Sequence, residues 1–263
     1  MTEAPTAPRG FQRGAFLKSI ERRPPPDWFP GPPDFVGIGV QKAGTTWWYR
    51  VMESHPQIFT RHQQKERQYF GRFGHRGFSH AHAVQYAELF YRPAGGKTGE
   101  WTPSYMSDFW VPPLLARAAP QAKLLVLLRN PVARYESGVR HGLHIEKLPL
   151  KVAQREAYTR GLYYEQLRLF LNAYPVDQIL VLQYERCVAE PMSQVRRTFE
   201  FLELDPVGHQ PPNVHVSFNE SVGPKFVAPQ HARESLADLY REDVRQLAET
   251  FPYLELDLWP EFA

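Results

Sequence analysis

Gly39-Val40-Gln41-Lys42-Ala43-Gly44-Thr45-Thr46-Trp47-Trp48, "GVQKAGTTWW", is the stretch on which the reading of this chain turns. Gly39 and Gly44 have the G-x-x-x-x-G spacing of a phosphate-binding loop, and Thr46 stands where such a loop keeps its hydroxyl residue. Thr45 occupies the slot of the usual lysine, while Lys42 lies inside the loop. Upstream, "DFVGIGV" (34–40) is a short apolar run that suits a strand. Downstream, "TTWWYRVMESHP" reads as a helix ended by Pro56. A loop that leaves a buried strand and opens a helix aims several backbone N–H groups at one spot. The helix dipole adds partial positive charge there, so the expected guest is an anion. The displaced lysine, and the lack of a strand that ends in aspartate, speak against a magnesium-bound triphosphate.

The same alternation continues outward. "KLLVLLRN" (123–130) and "QILVLQYE" (178–185) are apolar runs suited to strands buried on both faces. Pro131 follows the first, where the opening turn of a helix tolerates proline. "EAYTRGLYYEQLRLFLNAY", "PMSQVRRTFEFLEL" and "ESLADLYREDVRQLAETF" carry apolar residues at helical spacing. The expectation is an α/β fold of three layers, a central parallel sheet with helices on both faces. At 263 residues, one domain over 34–263 is expected, preceded by a Pro-rich flexible lead-in over 1–33. Within the lead-in, "FQRGAFLKSI" has the pattern of a short docking helix. The stretch 61–100, rich in His, Gly and aromatics, has weak periodicity and is a functional candidate for that reason.

Composition narrows the partners. A formal net charge of +3 excludes a nucleic-acid-scale field but leaves room for a local basic pocket. The single cysteine, Cys187, rules out an intrachain disulfide and reads as a buried thiol. No apolar run reaches bilayer-spanning length, and no signal-peptide core opens the chain, so a cytoplasmic protein without membrane insertion is expected.

A second anion grip follows from "LLRNPVARYESG". Arg129 falls at the carboxyl end of a strand, where open α/β sheets bind ligands, and Ser137 lies about two turns into the next helix, with Arg134 between. Alone, this is equally a surface arginine pair. Beside the first loop, it suits a nucleotide with phosphate at both its 5′ and 3′ sides.

These motifs together resemble the sulfotransferases that use 3′-phosphoadenosine 5′-phosphosulfate (PAPS) and release PAP. "GVQKAGTTWW" resembles their K-x-G-T-T-W loop, and "RNPVARYES" their R-x-P-x-x-R-x-x-S motif. "GEWTPSY" is similar to their "GEKTPSY", and "ILVLQYERCVAEPMSQVRRTFEFLEL" to a later stretch, so the likeness runs over about 35–204. The resemblance implies a P-loop-NTPase-like fold without a metal. It implies that Lys42, Ala43, Gly44, Thr45 and Thr46 hold the 5′-phosphosulfate, and that Arg129 and Ser137 hold the 3′-phosphate. Trp47 would lie against the adenine, or else pack the first helix. Lys225, in "SFNESVGPKFVAP", is a closing cation or a plain surface lysine.

"QKERQYFGRF" resembles the "KE.HFF" segment of the glycan-modifying branch. It would make Glu66 the general base and Lys65 a cation near the sulfuryl group. Otherwise Glu66 is a solvated charge of its run. Gln68 stands where histidine is usual, Tyr69 where Phe is common, and Trp101 where "EKTP" has lysine. The missing cation at 101 argues against a strongly anionic polysaccharide. His62, His141 and His144 are the rival bases. "FSHAHA" and "RHGLH" lack the ligand spacing of a metal site. The acceptor is expected to be a small molecule or a glycan. The many aromatics of 61–110 either line its cleft or form core. Two other functions fit the loop: a phosphotransferase of the kinase or triphosphatase kind, and a non-catalytic nucleotide-binding protein.

Overall fold

A computed structural model describes residues 25–60, 64–205, 208, 210–212, 214, 215 and 223–263. The expected docking helix in 11–20 and His62 lie outside the described residues. In chain order the elements are β1 (Phe29–Pro30), β2 (Phe35–Gly39), α1 (Thr45–Glu53), α2 (His80–Ala87), β3 (Tyr91–Arg92) and β4 (Gly99–Trp101). Then come α3 (Val111–Ala118), β5 (Lys123–Leu128), α4 (Pro131–His144), α5 (Leu150–Thr159), α6 (Tyr163–Leu171) and β6 (Ile179–Gln183). The series closes with α7 (Tyr184–Ala189), α8 (Pro191–Phe201) and α9 (Gln230–Thr250).

The main sheet has the order β4-β2-β5-β6, and every neighbouring pair is parallel. Helices flank it. β2 and β6 are buried along their whole length, and β5 in all but its first residue, as their unbroken apolar runs require. From β2 the chain first moves to one side, to β4, and then returns to the other side, to β5. The sheet order therefore reverses between β2 and β5, and ligands of open α/β sheets bind beyond strand ends at such a point. The loop after β2 carries Lys42, and the turn after β5 carries Arg129. Sheet order alone makes them neighbours. Among the described residues, no helix is long and apolar enough to cross a membrane.

Four points of the sequence reading are revised or completed. Part of the lead-in belongs to the domain: Phe29 and Pro30 pair antiparallel with Arg92 and Tyr91, and Gly31 N–H donates to Phe90 O. Proline is tolerated in so short an edge pairing. The helix expected across "EAYTRGLYYEQLRLFLNAY" is two helices, α5 and α6. Tyr240 of α9 packs on the break, where a Cβ at Gly161 would come within 2.5 Å of its hydroxyl. Asp243, also on α9, accepts hydrogen bonds from the Tyr164 and Glu165 N–H groups, both at 3.0 Å, so a distant helix supplies the cap of α6. β4 was read only as a motif. It is three residues long, and it is held by β2.

The fourth concerns the aromatics of 61–110. Phe70 meets Tyr86 and Tyr105 at ring centroids of 4.7 and 5.5 Å, and Phe73 meets Phe78 at 5.1 Å. Trp101 is fully buried. Most are core; Phe78 and Trp110 are half-buried against it, Tyr91 is half-buried in the β1–β3 pair, and Phe109 is exposed. Cys187 is buried, as its sequence context suggested.

Candidate active site

A cavity of about 1120 Å³ opens beyond the carboxyl ends of β2 and β5, lined by Lys42, Glu66, Arg129, Ser137 and Lys225 together. Sequence-distant motifs thus share one space. In the first loop, Lys42 and Gly44 both take left-handed backbone, with φ of 72° and 86°. Glycine is required at 44, since a Cβ would also come within 2.9 Å of the Tyr184 ring. Thr46 and Trp47 line the cavity. Trp47 is largely buried as well, with Nε1 donating to Val214 O at 3.2 Å, so it serves both the core and the cavity wall. Ala43 does not line the cavity. Its side chain is fully buried, and its N–H turns back to Val40 O at 3.4 Å.

Arg129 sits over the Tyr184 ring, 5.2 Å from its centroid, and reaches Lys42 O at 3.5 Å. Its Nε is buried without a hydrogen-bond partner among the described residues, a donor that suits an anion. Asn130 caps α4, its Oδ1 accepting from Val132 and Ala133 N–H at 2.9 and 3.1 Å. Ser137, two turns on, faces the same space. Arg134 does not. It is fully buried, and its guanidinium donates to Ala157 O.

This wall is stitched to the last part of the chain. Glu136 accepts from Ala228 N–H at 3.1 Å and from Arg233 at 2.7 Å. Arg233 also reaches Glu261 at 2.6 Å, and Glu261 accepts from the Asn130 amide at 2.6 Å. Glu185 accepts from Asn130 N–H and from Trp259 Nε1, each at 2.9 Å.

Arg140, His141 and Arg160 also line the cavity, and of these only His141 was singled out in the sequence. Their helical faces are set by long-range packing, so no local signal marks them. Burial, then Arg140 and Arg129, push Lys42 below the ordinary lysine range. Burial, then Lys42, push His141 down, with Glu146 opposing at 3.5 Å. An anion in this space relieves both. His144 is not part of the lining and packs against Gly223.

Lys65 is not part of the cavity lining, but it stands between the two motifs. Its ammonium reaches Glu66 Oε1 at 3.1 Å and the Thr45 hydroxyl at 3.3 Å, so it joins the Glu66 segment to the loop. Trp101 does not face the acceptor. It packs over Gly37, and its Nε1 donates to Gly39 O at 3.1 Å. The argument against an anionic polysaccharide from the missing cation at 101 therefore does not hold. Uncharged polar side chains also line the cavity: Gln41, Gln68, Ser104, Ser107 and Gln166.

Asp108 neighbours this wall. Burial pushes its carboxyl up to about 6, against the pull of Arg160. A raised folded-state pKa penalises ionisation, so stability is lost as pH rises from about 4 through 6. Asp108→Asn is expected to raise Tm at pH 7.5 and to leave it unchanged at pH 4, in paired melting curves.

The sulfotransferase domain profile matches residues 32–221, which include both anion loops and Glu66. The chain belongs to the sulfotransferase family. A human relative, heparan sulfate glucosamine 3-O-sulfotransferase 6, is 30% identical over 210 residues, covering 73% of this chain and 57% of that protein. The mouse 3-O-sulfotransferase 3B1 is 29% identical over 206 residues, covering 73% and 50%. The chain thus spans about half the length of the curated relatives it matches. A solved sulfotransferase of Alicyclobacillus acidocaldarius aligns with TM-score 0.68 at 22% identity, over 87% of this chain and 98% of that one. A mouse sulfotransferase solved with PAP aligns at TM-score 0.50 and 13% identity, over 84% and 89%. These likenesses show the P-loop-like fold, and the profile match shows the family. Lys225 lies past the matched residues.

Proposed function

We propose that this sulfotransferase moves a sulfuryl group from PAPS to an acceptor hydroxyl or amine, with Glu66 as general base. The observation that carries the reading is the single cavity shared by the Lys42 loop, the Arg129–Ser137 pair and Glu66. Lys42, Gly44, Thr45 and Thr46 would face the 5′-phosphosulfate, and Arg129 and Ser137 the 3′-phosphate. Glu66 takes the proton of the acceptor as its oxygen or nitrogen bonds to sulfur, and the bond from sulfur to the bridging oxygen breaks. The leaving PAP phosphate keeps that electron pair, stabilised by Lys42 and the loop amides. The lysine slot of a triphosphate loop is taken here by Thr45, which accepts from Lys65 at 3.3 Å, and the loop's own cation is the displaced Lys42. That favours sulfuryl over phosphoryl transfer.

The uncharged polar side chains of the cavity that Glu66 lines support a hydroxyl-rich acceptor, and the 3-O-sulfotransferase relatives point to a glycan. Arg160 adds positive charge to the same cavity.

The test is direct. PAP without metal should raise Tm, and Mg-ATP should not. Labelled PAPS should label a hydroxylated acceptor from a panel of sugars and small alcohols. Arg129→Ala should weaken PAP binding by about 10- to 150-fold, the equivalent of roughly 1.5–3 kcal/mol of charge-assisted hydrogen bonding. Unchanged affinity in titration calorimetry would remove Arg129 from the 3′-phosphate site.

A further inference from the structure

Glu66 and Gln68 both line the cavity, yet the segment that carries them is not part of any sheet ladder. Gln68 takes left-handed backbone, with φ of 50°, which a residue other than glycine holds only when its surroundings impose it. What imposes it is visible in the hydrogen bonds of three consecutive backbone N–H groups. Arg67 N–H donates to Glu100 Oε2 at 2.9 Å, Gln68 N–H to the Thr102 hydroxyl at 3.2 Å, and Tyr69 N–H to the Tyr105 hydroxyl at 2.8 Å. Two residues before Arg67, Lys65 O accepts from Trp101 N–H at 2.8 Å.

Both hydroxyls have only one proton, and each gives it to the same carboxylate. Thr102 donates to Glu100 Oε2 at 2.5 Å, and Tyr105 to Glu100 Oε1 at 3.1 Å. Tyr86 donates to Oε1 as well, at 2.7 Å. The fully buried carboxylate thus accepts four bonds, two on each oxygen, which fills its acceptor capacity. By taking those protons it turns the lone pairs of Thr102 and Tyr105 toward the Gln68 and Tyr69 amides. The strand that carries Glu100 is itself locked to the phosphosulfate loop's strand, through β4–β2 pairing, Thr102 N–H to Gly37 O at 2.9 Å, and Trp101 Nε1 to Gly39 O.

We propose that Glu100, acting through Thr102 and Tyr105, is the positioning residue of the reaction: it fixes where Glu66 stands relative to the Lys42 loop. Of the "GEWTPSY" motif only Pro103 and Ser104 line the cavity, and the other five residues stand behind it. Glu100, Thr102 and Tyr105 hold the base, and Trp101 between them holds the loop. The inference rests on the proposed role of Glu66.

The experiment compares Thr102→Val, Thr102→Ser, Tyr105→Phe, Glu100→Gln and Glu66→Gln for kcat, PAP affinity and Tm. Valine keeps the shape of threonine and removes the hydroxyl. Serine restores it. Thr102→Val should lower kcat about tenfold or more, as small misplacements of a reacting group do, and leave PAP affinity unchanged. Thr102→Ser should return kcat to the wild-type value. Tyr105→Phe should repeat the Thr102→Val result, and stands in for it if the valine variant does not fold. Glu100→Gln places an amide N–H₂ against two donors and should lower kcat further. Combined with Glu66→Gln, Thr102→Val should cause no additional fall, because a base that is absent cannot be misplaced. Folded Thr102→Val and Tyr105→Phe enzymes with wild-type kcat would overturn the inference, as would an equal loss of PAP affinity or additive losses in the double variant. If Glu66→Gln alone keeps the wild-type rate, the base assignment falls and this inference with it. If Glu66→Gln is slow and Thr102→Val is not, only the positioning role falls.

Discussion

Replacing Lys42 with alanine is expected to slow sulfuryl transfer by about 10²–10³-fold while leaving the fold intact. The side chain belongs to the cavity and not to the core, and the backbone at 42 is left-handed whichever of the two residues occupies it. Its ammonium is held below the ordinary lysine range by burial and by Arg140 and Arg129, so it is a charge kept in a site that disfavours it. Negative charge grows on the bridging oxygen as the bond to sulfur breaks. The amine is therefore worth more in the transition state than in the ground state, and the loss should fall on kcat more than on PAP affinity. Measuring both separates the two. A kcat within tenfold of wild type would assign the leaving phosphate to Arg129 and Arg140 instead.

Glu66→Gln is expected to lower kcat by about 10²–10⁴-fold. The amide oxygen still accepts from Lys65, which holds Glu66 at 3.1 Å, so the segment should keep its place. What disappears is the ability to take a proton. PAP affinity should not move, since the anion grips lie on other strand ends. Single-turnover rates with saturating donor and acceptor give the answer. A wild-type rate would transfer the role to His141, which faces the same cavity.

The sheet was legible in the sequence because β2, β5 and β6 are unbroken apolar runs, and such runs are dictated locally by burial on both faces. The two anion loops were legible because glycine spacing and a strand-end arginine are short-range patterns. β4 was not legible as a strand. Three residues carry no periodicity, and their place is set by β2 and by the Glu100 network. The break at Gly161 was hidden for a similar reason: its cause is Tyr240 and Asp243, about eighty positions away on another helix. Lys42, Glu66, Arg129, Ser137 and Lys225 line one cavity. Ala43 faces the core. Lys65 holds the Thr45 hydroxyl and the Glu66 carboxylate. Arg140 and Arg160 went unnoticed, since an arginine on a helix has no signature until the helix is packed.

The stitching of Glu136, Asn130 and Glu185 to Ala228, Arg233, Trp259 and Glu261 limits how this protein could be recombined with its relatives. A chimera joined at residue 221, where the family match stops, would separate Glu136, Asn130 and Glu185 from the partners they have in residues 228–261. The exchangeable block must carry both halves of that seam. For donor swaps and directed evolution, the natural unit extends through α9 to Glu261.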